Sequence, residues 1–314
     1  MNTPLSDVGP APRTGAVSSR YYIYIIRGTC GVPIGLDKSI NFTTIMLKIN
    51  KDISIAGRSI MVTLHGPSGN HTRTRAMKRN VTREQVRKNN DRLALRNLTL
   101  LLNSNFEDNE GAHFTLTYKD APDPAEAYRK LENFLRRMKR ALPDLKYVGV
   151  TEYTNVRIHH HIVMNTTDVK LVEKVWREGR VRATILDSCG DYTDLAEYLI
   201  KETSKTFRDP DSPRQHRWSA SRNLEKPATK RIETTPAEIL DDPQPIPGYY
   251  IPEDRIRRFE HPVTGLETVE YLMIAINKPR RFKTWPKGKK ISGKEYYEVD
   301  VENEQENLFA QFGI

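Results

Sequence analysis

The stretch KYVGVTEYTNVRIHHHIVMN, residues 146–165, decides the fold of this chain and contains its most distinctive residues. Residues 146–153 and residues 156–165 are short runs rich in Val, Ile, Tyr and His, and such runs favour β-strands. Only Thr154 and Asn155 separate the two runs. The stretch therefore predicts a β-hairpin, in which the two strands pair side by side.

Three consecutive histidines lie in the second strand of this hairpin. Side chains alternate between the two faces of a strand, so His159 and His161 share one face, roughly 6.6 Å apart, and His160 points to the other. Glu152, on the first strand, is the nearest candidate for a third ligand. Two imidazoles and a carboxylate suit Mn²⁺, Mg²⁺ or another divalent ion. The alternative is a polar strand whose histidines are only hydrogen-bonded.

The segments around the hairpin predict the fold class. Before it come a strand in AHFTLTY and a helix capped by Asp123. After it come a helix in VKLVEKVWREG closed by Gly179, a strand in VRATILDS, and a helix in DYTDLAEYLIKETSK opened by Asp191 or Thr193. The order β-α-β-β-α-β-α predicts an α+β fold with a ferredoxin-like or palm-like antiparallel sheet and helices on one face.

The last of these helices contains a tyrosine and a lysine on one face. Tyr198 and Lys201 are three residues apart, the spacing of neighbours on a helix surface. A phenol is a poor nucleophile until a metal polarises its target phosphate or a base favours the phenolate, and a nearby lysine can neutralise phosphate charge. An incidental pair is the alternative, because this spacing is common. Tyr192 lies about 240° away around a continuous helix, which predicts a packing or capping role.

The charge of the chain favours a polyanionic partner. The formal net charge is +10 and the pI is near 9.4, a balance that suits nucleic acid, with a membrane surface as the competing partner. In the basic segment 71–110, Thr82 and Gln85 form a capping-box pattern that predicts a helix starting near Arg83. Its cations either grip nucleic acid or form a solvated helix face. The predicted DNA contacts are Arg73, Arg75, Lys78, Arg79, Arg83 and Arg87.

Three motifs, in this order, resemble the rolling-circle replication initiators of the HUH endonuclease superfamily, as found in Gram-positive plasmids and mobile elements and in phages. They are FTLTY in the first strand, a glutamate six residues before HHH in the hairpin, and YLIK in the later helix. RWSASRNLEKP, residues 217–227, also resembles the tail of such proteins. The similarity spans about residues 71–230. Two departures are His160, where the family has a bulky apolar residue, and a turn without the glycine that commonly precedes the histidines.

The resemblance implies site-specific nicking of single-stranded DNA at a replication origin. It implies Tyr198 as the nucleophile, which forms a 5′-phosphotyrosyl bond and leaves a free 3′-hydroxyl primer, with Lys201 as its helper. It implies His159, His161 and Glu152 as ligands of Mn²⁺ or Mg²⁺. The expected partners are origin DNA, a host helicase and a DNA polymerase, and no membrane.

Cleavage of one strand also requires a basic, aromatic-lined cleft. Arg157, Arg217 and Trp218 are the predicted lining residues, and a core position is the alternative for Trp218. Two further functions stay open. Relaxases and transposases use the same chemistry, and a non-catalytic nucleic-acid-binding protein needs only the basic arm.

The expected domain organisation is a core with additions on both sides. We expect an N-terminal appendage over residues 1–70, a basic helical arm over 71–110, the endonuclease core over 111–230 and a partly looped C-terminal extension over 231–314. No apolar window approaches the roughly 20 residues of a membrane span, and the two cysteines support neither a disulfide framework nor a zinc finger. We therefore expect a cytoplasmic protein.

Overall fold

The computed structural model describes residues 49–66, 82–153, 157–208, 212–214, 216–261, 266–276 and residue 312. These residues form eleven strands and five α-helices. The strands are β1 (Ile49–Ala56), β2 (Ser59–His65), β3 (Ala112–Thr117), β4 (Tyr147–Glu152), β5 (His159–Met164), β6 (Val181–Ile185), β7 (Ser219–Ala220), β8 (Ala228–Thr234), β9 (Tyr249–Tyr250), β10 (Ile256–Glu260) and β11 (Glu267–Ala275). The helices are α1 (Arg83–Asn105), α2 (Pro124–Ala141), α3 (Val169–Val175), α4 (Thr193–Thr206) and α5 (Ala237–Leu240).

The central sheet contains the predicted hairpin. Its strand order is β6-β3-β5-β4-β7, and every neighbouring pair is antiparallel. β4 and β5 pair with Glu152 opposite His159 and with Val150 opposite His161. The run from β3 to α4 has the predicted order β-α-β-β-α-β-α, so the α+β fold with a palm-like antiparallel sheet is confirmed.

Helices cover both faces of this sheet. On one face, α2 and α3 bury Phe134 and Trp176 against Phe114 of β3 and Ile162 of β5. On the other face, α1 and α4 pack against side chains of β4 and β5 such as Val163. This corrects the expectation of helices on one face. The cause is that β4 and β5 each contain four or more consecutive buried residues, a pattern that requires cover on both sides.

The helices begin at the predicted capping residues. The Thr82 hydroxyl accepts from the Gln85 amide, and the Gln85 side chain accepts from the Thr82 amide, which completes the capping box of α1. Asp123 caps α2 in the same way. α3 ends earlier than predicted, at Val175, so Gly179 lies beyond the helix. Among the described helices, none combines the length and the apolar composition that a bilayer span requires.

A second sheet joins segments from the two sides of the chain. Its order is β10-β11-β2-β1-β8, with β9 pairing to β11, so residues 49–65 pair with residues 228–275. The alternative of strand or helix at β11 is resolved as a strand. α1 lies between the sheets, because Leu98 packs with the α4 side while Leu100 packs with Met61 and Leu272 of the second sheet. One helix therefore supports both sheets.

Candidate metal centre and tyrosine site

Glu152, His159 and His161 converge on one face of the central sheet. Each offers a donor atom, and these atoms all lie within 4.8 Å of one another. The Nε2 atom of His159 is 3.3 Å from a carboxylate oxygen of Glu152. The two imidazole ring centres are 4.8 Å apart. This cluster could hold a metal ion, and its three residues are the three predicted ligands.

The outer hydrogen bonds of the two histidines suit a metal centre. The Nδ1 atom of His159 is 2.8 Å from the carbonyl oxygen of Arg157, so Nδ1–H donates there and the Nε2 lone pair faces Glu152. His161 likewise uses Nδ1 for outer contacts and turns Nε2 towards the open side of the sheet. Metal-binding histidines commonly donate their second ring nitrogen to an outer acceptor in this way. The donor set therefore fits a divalent cation.

His113 is a member of this site that the sequence analysis missed. Its Nε2 atom lies 3.1 Å from Nδ1 of His161, and the hydroxyl of Thr115 lies 3.3 Å from the same nitrogen. Burial lowers the pKa of His113 to about 4. Burial, together with His113 and His159, lowers the pKa of His161 to about 3. Both rings are neutral near pH 7, so Nδ1–H of His161 can donate to Nε2 of His113. The alternation that places Phe114 in the core already places His113 on the face of the site.

Tyr198 extends from α4 to the histidines. Its hydroxyl donates to Nε2 of His161 over 3.2 Å, and the two ring centres are 5.1 Å apart at a nearly perpendicular angle. Ala196 and Leu199 are buried against the sheet, while Tyr198 is 40% exposed. Burial, with Glu202 and Glu152 nearby, raises the pKa of the phenol, so Tyr198 is protonated near neutral pH. The phenol is therefore open to a substrate and adjacent to the candidate metal centre.

Tyr192 and Lys201 occupy different positions on the same helix. Tyr192 is buried, and its hydroxyl donates to Asp108 over 2.9 Å. Burial raises the pKa of its phenol, and Asp108 raises it further. Tyr192 is therefore a packing residue, as predicted. Lys201 is exposed on α4, one turn beyond Tyr198.

The middle histidine has a structural role. His160 points to the α2 face, where its Nδ1 atom is 2.8 Å from the hydroxyl of Thr151 and its Nε2 atom is 2.7 Å from the hydroxyl of Tyr118. Tyr118 in turn donates to the carbonyl of Ala127. A neutral ring satisfies this network: Nε2–H donates to Tyr118 and Nδ1 accepts from Thr151. Burial lowers the pKa of His160 to about 3, so it remains neutral. The departure from an apolar residue is thereby accommodated.

The predicted DNA-contact residues lie in three settings. Arg83 and Arg87 are exposed on the first turns of α1. Arg157 is exposed and donates to the carbonyl of Lys119. Arg217 pairs with Asp91, and together with Trp218 it lines a cleft beside β4. Four further predicted contacts lie outside the described residues: Arg73, Arg75, Lys78 and Arg79.

Replacing His113 tests its contact with His161. We expect His113→Phe to weaken Mn²⁺ binding by about 10-fold to 100-fold, because His161 loses an outer hydrogen-bond partner. Isothermal titration calorimetry measures the affinity. Thr117→Val is the control, because it lies on the same strand and face and its hydroxyl donates to the carbonyl of Arg180 instead. Equal affinities for His113→Phe and wild type would show that the contact does not orient His161.

Comparison with known proteins agrees with this placement. Residues 112–207 match the model of a family described as replication-associated protein ORF2. The matched segment runs from the start of β3 to just past α4, and it contains all three candidate ligands, His113 and Tyr198. No curated protein and no solved structure matches the chain significantly. The family match supports a replication initiator.

Proposed function

We propose that this chain initiates rolling-circle replication by nicking single-stranded origin DNA through a phosphotyrosyl intermediate, as HUH endonucleases do. One observation carries the proposal: the Tyr198 hydroxyl lies 3.2 Å from His161, inside the cluster that His161 forms with His159 and Glu152. A nucleophile and a candidate metal centre therefore face one open space. The family match over the same residues supports the replication setting.

The residues of the chain have distinct tasks in this reaction. The Tyr198 oxygen attacks the scissile phosphorus while the bond from phosphorus to the 3′ oxygen breaks, and the phenol proton passes to water. The product is a 5′-phosphotyrosyl bond and a strand with a free 3′-hydroxyl. A divalent cation held by Glu152, His159 and His161 would polarise the phosphate as a Lewis acid. Lys201, on the same helix surface as Tyr198, neutralises charge that develops on the phosphate.

Two other functions are less well supported. A relaxase or transposase would use the same residues, but the family match is to a replication-associated protein. A non-catalytic nucleic-acid-binding protein would not require a phenol at 3.2 Å from a histidine in a cluster of ligand atoms. We therefore favour a single-tyrosine nickase over both.

A nicking assay tests the proposal. The chain is incubated with Mn²⁺ and a single-stranded oligonucleotide from the origin region of the element that encodes it. We expect one cleavage site, a 3′-hydroxyl product, and a covalent adduct that mass spectrometry assigns to the peptide containing Tyr198. An adduct on another tyrosine would move the nucleophile. Complete absence of cleavage with Mn²⁺ and with Mg²⁺ would favour the non-catalytic alternative.

The basic start of α1 is proposed to contact DNA. We expect Arg87→Glu to weaken binding of an origin oligonucleotide and to reduce the slope of log affinity against log salt by about 1, because one phosphate contact is lost. Fluorescence anisotropy at several salt concentrations measures both quantities. Lys139→Glu is the matched control, because it makes the same charge change at an exposed position of α2. Equal slopes for the two variants would identify the start of α1 as a solvated helix face.

A further inference from the structure

The position of α4 determines whether Tyr198 reaches the histidines. A helix rises about 1.5 Å and turns about 100° per residue, so a shift by one residue would remove the phenol from its 3.2 Å contact with His161. Buried apolar residues such as Leu199 set the rotation of α4 against the sheet. Apolar contacts are not directional, so they set the position along the helix axis less strictly. Polar contacts at the start of α4 supply that direction.

An arginine of the second sheet binds the start of α4. Arg255 lies immediately before β10, and its Nε atom donates to Asp191 over 2.7 Å. Its Nη2 atom donates to Asp194, in the first turn of α4, over 2.9 Å. The other oxygen of Asp191 accepts from the backbone amide of Thr193 over 3.0 Å. Asp191 thus caps the helix while it is held by Arg255.

These contacts are protected from water. Asp191 is 8% exposed, and the side chain of Arg255 is 14% exposed. A directional ion pair at this depth is stronger than a surface pair, because water screens it less. The contact therefore constrains the helix end.

Two further bonds join the second sheet to the same helix end. The amide of Tyr192 donates to the side chain of Asn103, and Asn103 donates to the hydroxyl of Ser59 at the start of β2. The Tyr192 hydroxyl donates to Asp108, which is 3.8 Å from Arg58 in the turn before β2. Both routes begin at the turn between β1 and β2 and end at Tyr192. Three polar links therefore reach the first residues of α4 from one sheet.

These links lie outside the segment that matches the replication family. That segment covers residues 112–207, whereas Arg255, Asn103, Ser59 and Asp108 all lie beyond it. The proposed catalytic residues and the polar links thus come from different parts of the chain. The second sheet completes the placement of an element that the matched segment contains.

We propose that the second sheet positions the tyrosine helix, and that Arg255 is a positioning residue for the cleavage step. This inference rests on the proposed function, because it assigns Tyr198 as the nucleophile. Arg255 acts through Asp191 and Asp194, on the other side of the helix end from the substrate. Its loss lets α4 shift, so that the phenol is correctly placed in only a fraction of molecules.

The test compares two arginines of the same sheet. Arg255→Ala removes the link to α4. Arg258→Ala is the matched control, because Arg258 instead donates to the carbonyls of Ile239 and Asp241 near α5. We expect Arg255→Ala to lower the single-turnover cleavage rate by about 10-fold to 100-fold, since misplacement by about 1 Å can cost that much. DNA affinity should change no more than in the control. Arg255→Lys, which keeps the charge beside Asp191, should restore part of the rate.

Hydrogen exchange gives a readout that does not need activity. In Arg255→Ala, the amides of residues 197–201 should exchange faster than in wild type, and in Arg258→Ala they should not. If Arg255→Ala does not fold, Asp194→Ala tests the same link from its exposed side, with a smaller change in the same direction. Unchanged exchange in α4 would overturn the positioning role even if the chain never cleaves DNA. Faster exchange with an unchanged cleavage rate would also overturn it. Absence of cleavage in wild type would instead refute the proposed function.

Discussion

Tyr198→Phe is expected to abolish DNA cleavage and the covalent adduct while DNA binding remains close to wild type. The substitution removes one oxygen atom, the one that lies 3.2 Å from His161 and is proposed to attack phosphorus. Loss of a catalytic nucleophile costs about 10³-fold or more in rate. The tyrosine is 40% exposed, so the lost hydroxyl should change folding stability little. Gel analysis of cleavage and of the protein–oligonucleotide adduct measures the result.

Tyr192→Phe is the matched control on the same helix. Its hydroxyl is buried against Asp108 and does not face the histidines. We expect this variant to retain an adduct on Tyr198, with a rate reduced at most by loss of that one hydrogen bond. An adduct that persists in Tyr198→Phe and disappears in Tyr192→Phe would make Tyr192 the nucleophile and would contradict the proposed site.

His161→Ala is expected to remove metal-dependent cleavage. His161 combines three contacts: Nε2 faces the Tyr198 hydroxyl, Nδ1 faces His113, and the ring lies beside His159. Its loss leaves two of three candidate donors. We expect the Mn²⁺ affinity to fall by more than the roughly 10-fold to 100-fold that loss of an outer partner costs. Calorimetry with Mn²⁺ and the nicking assay measure the two effects separately.

His160→Gln is the matched control from the adjacent position. His160 points to the opposite face of the sheet and bonds to Tyr118 and Thr151, so it cannot share an ion with His161. We expect this variant to lose about 1–3 kcal/mol of stability, because buried hydrogen bonds change, and to keep Mn²⁺ affinity within a few-fold. Loss of Mn²⁺ binding in His160→Gln, but not in His161→Ala, would show that the strand has the other orientation.

Short-range features were predictable from the residues alone. The hairpin, the capping box at Thr82 and the cap at Asp123 depend on residues within a few positions of one another, and all three are present in the structure. The grouping of His159 with His161 follows from the two-residue period of a strand. Glu152 was found by the same reasoning, because a short turn restricts how two strands can pair.

Other features required the packed chain. His113 was overlooked because its neighbours were assigned to the core without asking what the opposite face carried. Helices on both faces of the central sheet depend on α1, whose two sides contact different sheets. The second sheet pairs residues that are more than 150 positions apart, and no local pattern indicates such a pairing.

The sequence by itself determined the order of the elements, where α1 and α2 begin and which histidines share a face, because backbone geometry and side-chain periodicity act over a few residues. Only the tertiary structure decided that Tyr198 meets His161, that His113 supports it, and that Arg255 holds the start of α4. Such contacts join residues 37 to 64 positions apart, and their distances depend on how whole elements pack.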